Sequence, residues 1–204
     1  MIQQKLFLKI AYMTIALGIA IEISQYILLL ILNNDSPLKQ FIADFAGKVT
    51  WTYIVCTAIA LATALTSNQV KTGLAALLSV PVGLYIAQII HKQALSKFGL
   101  DTAIAGNFSF IPVAIKAIEY GALGMLFPYF IKQEKKFPLF ILTGFLAGII
   151  FGLCQVLYKI YSTPAQIPFI KLLPICLNEL IIPIGCSCII YSSKVLTMHL
   201  KKSD

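Results

Sequence analysis

The sequence predicts an all-α integral membrane protein, a bundle of six transmembrane helices, and composition is the first reason. Of its 204 residues, 59% are hydrophobic and 12% are charged, and the mean hydropathy is +0.87. Soluble domains are about 45–50% apolar and about 25% charged. A soluble fold could not hide this much apolar surface. The composition therefore excludes a soluble enzyme, a disordered chain, a collagen and a disulfide-stapled secreted domain.

The second reason is that the apolar residues fall into six runs, each long enough to cross a bilayer. A hydrocarbon core of about 30 Å needs about 20 helical residues at about 1.5 Å each, and the alternating pattern of barrel strands is absent. The loops between the runs are too short for a soluble domain, so we expect one domain over residues 1–204. The predicted spans are 7–32, 49–66, 72–91, 108–131, 137–161 and 170–196.

The net charge of +8 indicates membrane orientation. All 16 basic residues are lysine, and they lie mostly at the ends of the apolar runs. A nucleic-acid-binding protein would group lysine and arginine on one soluble face, so we expect no nucleic-acid partner. Six spans put both termini on one side of the membrane. Nine lysines on that side against six on the other predict cytoplasmic termini, and the Lys132–Lys136 loop strengthens the bias.

Residues with metal-binding or nucleophilic chemistry are poorly arranged for catalysis. The five cysteines all lie in apolar runs, and the two histidines are far apart. We interpret the cysteines as packing residues and expect no metal, no cofactor and no catalytic residues. The sequence also lacks a Gly-x-Ser-x-Gly motif. A membrane enzyme stays open as the weakest alternative.

Polar side chains inside apolar spans are costly and often mark function. Glu22 and Gln25 share a face of the first span, in its later half. Asp44 is expected just before the second span, at the same membrane face. If the two ends of the chain pack as related halves, two further amides reach the same level. The predicted ligand-binding set is Glu22, Gln25, Asp44, Gln155 and Asn178.

Three further ionisable residues are secondary candidates. Lys116 and Glu119 are three residues apart, so they can pair within their own helix. The alternative to a functional role is a self-neutralised pair near the outer membrane interface, with Lys116 extending to that interface. Glu179 follows Asn178, and its alternative is a position at an interfacial helix start.

Two sequence features bear on how the helices are arranged. Segments 130 residues apart share several residues, which raises the possibility of two diverged parallel halves; the matched pairs include Gly18 with Gly148, Gln25 with Gln155, and Cys56 with Cys186. In addition, the fifth span carries a ridge of small residues, Gly144, Gly148 and Gly152. Such ridges let transmembrane helices approach closely.

The order of short motifs in the second half resembles the VanZ-like membrane family. The chain has an entry segment over 107–112, a span with a Gly124–Pro128 stretch, a lysine-rich turn, Gln155 at a span end, and Asn178 near the next helix start. That family carries a Glu-x-x-Gln span end and an Asp-x-x-x-Asn helix start.

The match to these two family motifs is divided between the halves. Gly152 and Pro174 stand where the family has glutamate and aspartate. The first half instead keeps the whole Glu22-Ile-Ser-Gln25 motif, with Asp44 following it.

This resemblance implies a multi-pass protein of the bacterial cytoplasmic membrane with a cell-envelope role. The family's name-giving member is associated with resistance to the lipoglycopeptide teicoplanin. The implied ligand is therefore an amphipathic envelope molecule, such as a lipoglycopeptide or a lipid-linked molecule.

The alternative function is small-molecule transport, for example as the substrate-binding membrane subunit of an energy-coupling-factor importer. The sequence has no nucleotide-binding loop, so ATP hydrolysis would need a partner subunit. The expected partners are thus the lipid bilayer, one amphipathic or small-molecule ligand and, for a transporter, a second membrane subunit.

Overall fold

The predicted all-α fold is confirmed by the structure, a computed structural model that describes residues 2–31, 38–66, 68–105, 109–162 and 169–202. Those residues form long helices and one short 3₁₀ turn, with no strand among them. The elements are α1 (Ile2–Ile31), α2 (Leu38–Leu65), α3 (Gln69–Lys97), a 3₁₀ turn (Thr102–Ala105), α4 (Phe110–Lys132), α5 (Phe137–Ser162) and α6 (Phe169–Lys202).

Each of these six helices contains a stretch of 23 to 29 residues that is long and apolar enough to cross a membrane. Their outward surfaces carry large apolar side chains, as Leu142, Ile150 and Leu157 do on α5, each about half exposed or more. Side chains of this kind on a bundle exterior match lipid and not water. The chain is therefore a multi-pass membrane protein.

Helices α2 and α3 extend furthest beyond their predicted spans, and the extensions carry polar residues. Helix α2 begins at Leu38 and not at residue 49, and α3 continues to Lys97 and not 91. The expectation that Asp44 precedes the second span is therefore wrong, since Asp44 lies inside α2. The polar residues in these turns lower the local hydropathy. Asp44 and Lys48 nevertheless pair with residues of α3 and α1, so α2 continues where its apolar pattern stops.

Neighbouring helices pack as antiparallel hairpins, and α6 also lies against α1 and α2. The packed centre includes Tyr120, Phe127 and Phe140, each fully buried. The Phe127 and Phe140 rings stack with centroids 5.4 Å apart. All five cysteines are free, and Cys56 and Cys186 are buried within the same core.

The glycine ridge of α5 packs against α6 as predicted. Gly144, Gly148 and Gly152 are buried. A Cβ atom added at Gly148 would lie 2.7 Å from the carbonyl oxygen of Glu179, and one at Gly152 would lie 2.9 Å from the Cβ of Glu179. Hydrogen in place of a side chain is therefore what lets the two helices approach.

We expect Gly148→Leu to lower the stability of the folded protein by about 1–3 kcal/mol, because the side chain would overpack the α5–α6 contact. Thermal unfolding in detergent measures the effect. Ile150→Leu, at a position that is 58% exposed on the same helix, is the control and should leave the midpoint unchanged. Equal midpoints for both variants would contradict close packing at Gly148.

The register of α1 on α2 recurs 130 residues later between α5 and α6. In each hairpin two residues of the first helix contact two residues of the second. The contacting positions in the second hairpin are those of the first plus 130. This agreement supports the hypothesis of two related halves, because helix pairs of unrelated origin have no reason to share a register. The matched contacts are Thr14 with Thr57 and Gly144 with Ser187, and Gly18 with Val49 and Gly148 with Glu179.

Candidate functional site

All of the predicted site residues lie toward one end of the bundle, opposite the termini. Because the helices alternate in direction, the later halves of α1, α3 and α5 meet the earlier halves of α2, α4 and α6 there. A cavity of about 410 Å³ lies at this end. Its apolar wall includes Trp51, Leu84, Ala87, Val113 and Ile182, and its polar wall includes Asp44, Lys48, Gln88, His91, Ser109, Lys116, Gln155, Asn178 and Glu179.

The first polar cluster joins α1, α2 and α6. The Lys48 ammonium lies 3.1 Å from Glu22 Oε1 and donates a 2.5 Å hydrogen bond to Gln25 Oε1. Gln25 Nε2 in turn donates to Asn178 Oδ1 over 2.8 Å. Glu22 is 1% exposed. Three predicted site residues are thus brought together, with Glu22 and Gln25 in a second layer behind Lys48 and Asn178.

The second cluster is a contact between a histidine on α3 and a carboxylate on α2. His91 Nε2 lies 2.8 Å from Asp44 Oδ1, and both residues line the cavity. Neither His91 nor Lys48 belongs to the set predicted from the sequence. For Lys48, the signal available in the sequence was helical spacing. Asp44, Lys48 and Trp51 follow at intervals of four and three residues, which places them on one face of a helix.

The third cluster is buried between α4 and α6. Lys116 Nζ donates to Glu119 Oε2 over 2.7 Å and also forms a salt bridge with Glu179 Oε2. The three residues are 8%, 0% and 9% exposed. The Lys116–Glu119 pair is as predicted. Extension of Lys116 to the interface is wrong, because Glu179 holds its ammonium group inside the bundle.

Glu179 and Gln155 both lie within helices and line the cavity. Glu179 is not at a helix start, because α6 begins ten residues earlier, at Phe169. Gln155 lines the cavity, and its Nε2 donates to the Pro112 carbonyl over 2.8 Å. Gln155 therefore joins α5 to α4, and its amide oxygen is the end of the side chain that can accept a further hydrogen bond.

The site has more acidic than basic groups. Its three clusters contain four carboxylates, two lysines and one histidine, so with all four carboxylates ionised negative groups outnumber positive ones whether or not His91 is protonated. Such a wall can hold a polar or charged group by ion pairing and hydrogen bonding. Within the described ranges, no three histidine, cysteine, aspartate or glutamate side chains converge to hold a metal ion. The four carboxylates are Glu22, Asp44, Glu119 and Glu179.

Comparison with known proteins finds no matching family model, no matching curated protein and no matching solved structure. The VanZ-like resemblance stays a hypothesis that rests on motif order alone. Part of its entry motif, including Asn107, lies outside the described residues. The fold and the geometry of the site define a class of protein: a multi-pass helical membrane protein with a polar cavity at one end of its bundle.

Proposed function

We propose that the protein binds a small amphipathic ligand in this cavity and does so in the cell envelope of a bacterium. One observation carries the proposal: five helices bring polar side chains to a cavity whose wall is otherwise mostly apolar. Small-molecule sites are typically about 300–1,000 Å³ with a few convergent polar groups in an apolar lining. At about 410 Å³ the cavity falls in that range.

The size of the cavity constrains the ligand that the family resemblance implies. A whole lipoglycopeptide is much larger than a site of about 410 Å³, so only one group of such a molecule would enter. A small molecule, or the end group of a lipid-linked one, fits the volume better.

Transport is the second candidate, and the position of the cavity favours it. Helices α2 to α6 all contribute to its wall, so a bound molecule would contact five of the six helices at one end of the bundle. A substrate-binding membrane subunit of an importer needs such a site. Co-purification with an ATP-hydrolysing subunit would distinguish this candidate from a binding or sensing protein.

The proposal also includes the orientation of the protein in the membrane. With cytoplasmic termini in the bacterial cytoplasmic membrane, the cavity faces outward. Single cysteines in a cysteine-free background should then react with an impermeant thiol reagent added outside intact cells when placed at Ala103, and not when placed at Asn68 or Glu134. Reaction from outside at residue 134 would reverse the topology.

Blocking the cavity tests ligand binding even while the ligand is unidentified. We expect Ala87→Phe to fill space in the cavity wall, because Ala87 lies in that wall and is 7% exposed. Native mass spectrometry of protein extracted gently from membranes should detect a co-purifying small molecule in the wild type, and at least tenfold less of it in this variant.

Val82→Phe is the matched control, since Val82 lies on the same helix but is 54% exposed and faces outward. It should retain the molecule. Detection of no small molecule in the wild type, or equal amounts in the wild type and Ala87→Phe, would contradict the proposed function.

A further inference from the structure

We infer that the ligand of this cavity is an organic ammonium ion, a protonated amine on a small apolar body. The inference rests on the proposed function and names its ligand class. Four features carry it: the charge balance of the wall, the placement of its carboxylates, an aromatic ring in the same wall, and the apolar remainder of the lining.

Charge balance is the first feature. Both lysines of the site are already held by carboxylates: Lys48 by Glu22, and Lys116 by Glu119 and Glu179. An anionic ligand would add negative charge next to carboxylates of which three, Glu22, Glu119 and Glu179, are buried, and unbalanced buried charge is expensive. A cationic ligand would reduce the excess of negative groups.

The placement of the carboxylates is the second feature. Glu22 and Glu119 lie behind the lysines, whereas Asp44 and Glu179 are in the cavity wall itself. A ligand therefore reaches two acidic residues directly. The cluster around Lys116 has more acceptors than donors: Glu119 Oε1 is fully buried and has no hydrogen-bond partner within the described structure.

The remaining wall suits an alkylammonium group and its carbon chain. Trp51 lines the same cavity as the two wall carboxylates, and aromatic faces attract organic cations. Gln155 donates from Nε2 to the Pro112 carbonyl, so its Oε1 is left to accept a hydrogen bond from an ammonium group. Leu84, Val113 and Ile182 supply the apolar surface for the chain.

The test uses three probes of one size and different charge: butylammonium, butanol and butanoate, each added to the detergent-purified full-length protein. We expect butylammonium to raise the thermal unfolding midpoint in a saturable manner, and butanol and butanoate to leave it unchanged at the same concentrations.

Two variants locate the effect. Glu179→Gln and Asp44→Asn should each weaken butylammonium binding at least tenfold. If Glu179→Gln fails to fold, Asp44→Asn still tests the inference. The Asp44 side chain is 31% exposed, so its replacement disturbs the packed interior less. Glu134→Gln, in the exposed turn between α4 and α5, is the control and should bind as the wild type does.

Stronger stabilisation by butanoate, equal stabilisation by all three probes, or stabilisation by none of them would overturn the inference. So would butylammonium binding that persists in both wall variants. The proposed function is judged separately, by whether a small molecule co-purifies with the wild type and is lost in Ala87→Phe.

Discussion

Replacement of Lys116 by methionine is expected to destabilise the folded protein by about 3–5 kcal/mol, the largest single effect we predict. Lys116 is the cation shared by Glu119 and Glu179, and all three residues are at least nine-tenths buried. Removal of one partner from a buried ion pair leaves an uncompensated charge. Unfolding in detergent followed by tryptophan fluorescence would measure the loss.

The control for this variant also neutralises Glu119 and Glu179, the two carboxylates that lose their cation. The triple variant Lys116→Met, Glu119→Gln, Glu179→Gln should recover much of the lost stability, since no buried charge is left without a partner. A single variant as stable as the wild type would mean that Lys116 is not held between the two carboxylates.

The second large effect is expected at Lys48. Lys48→Met should cost about 2–4 kcal/mol, because it leaves Glu22, which is 1% exposed, without its cation and removes the hydrogen bond to Gln25. We place the loss below that of Lys116→Met, since the Lys48 side chain is 39% exposed and water partly screens the pair.

A double-mutant cycle separates this pair from general packing. Glu22→Gln alone should cost less than Lys48→Met alone, and the double variant should be more stable than the sum of the two losses predicts. Strictly additive losses would show that the two residues do not interact.

Hydropathy was sufficient to predict the six helices, but not where two of them begin and end. An apolar run marks side chains that face lipid or the protein core, so the run stops at polar residues such as Asp44 and Lys48. The helix itself continues, because those polar groups find partners on neighbouring helices. The predicted spans of α2 and α3 were therefore too short at the end of the bundle that holds the site.

The site was predictable to the extent that its contacts are local or follow the repeat. The Lys116–Glu119 pair follows from helical spacing, and the position of Asn178 at the level of Gln25 follows from the assumption of related halves. The partners of His91 and Glu179 depend on how α3 packs on α2 and on where α6 lies relative to α4. No local pattern in the sequence encodes those packings, which is why His91 was missed.

Thiol accessibility on α5 decides whether the polar cavity is open to water inside a lipid-facing bundle, on which the proposed binding site depends. In a cysteine-free background, Gln155→Cys lies in the cavity wall, while Leu153→Cys is 58% exposed on the bundle surface and only about 3 Å deeper along the helix. A charged, water-soluble thiol reagent should label position 155 in membranes and leave position 153 unlabelled. Labelling at 153 with protection at 155 would mean that the cavity is closed to water and that the surface of α5 does not face lipid.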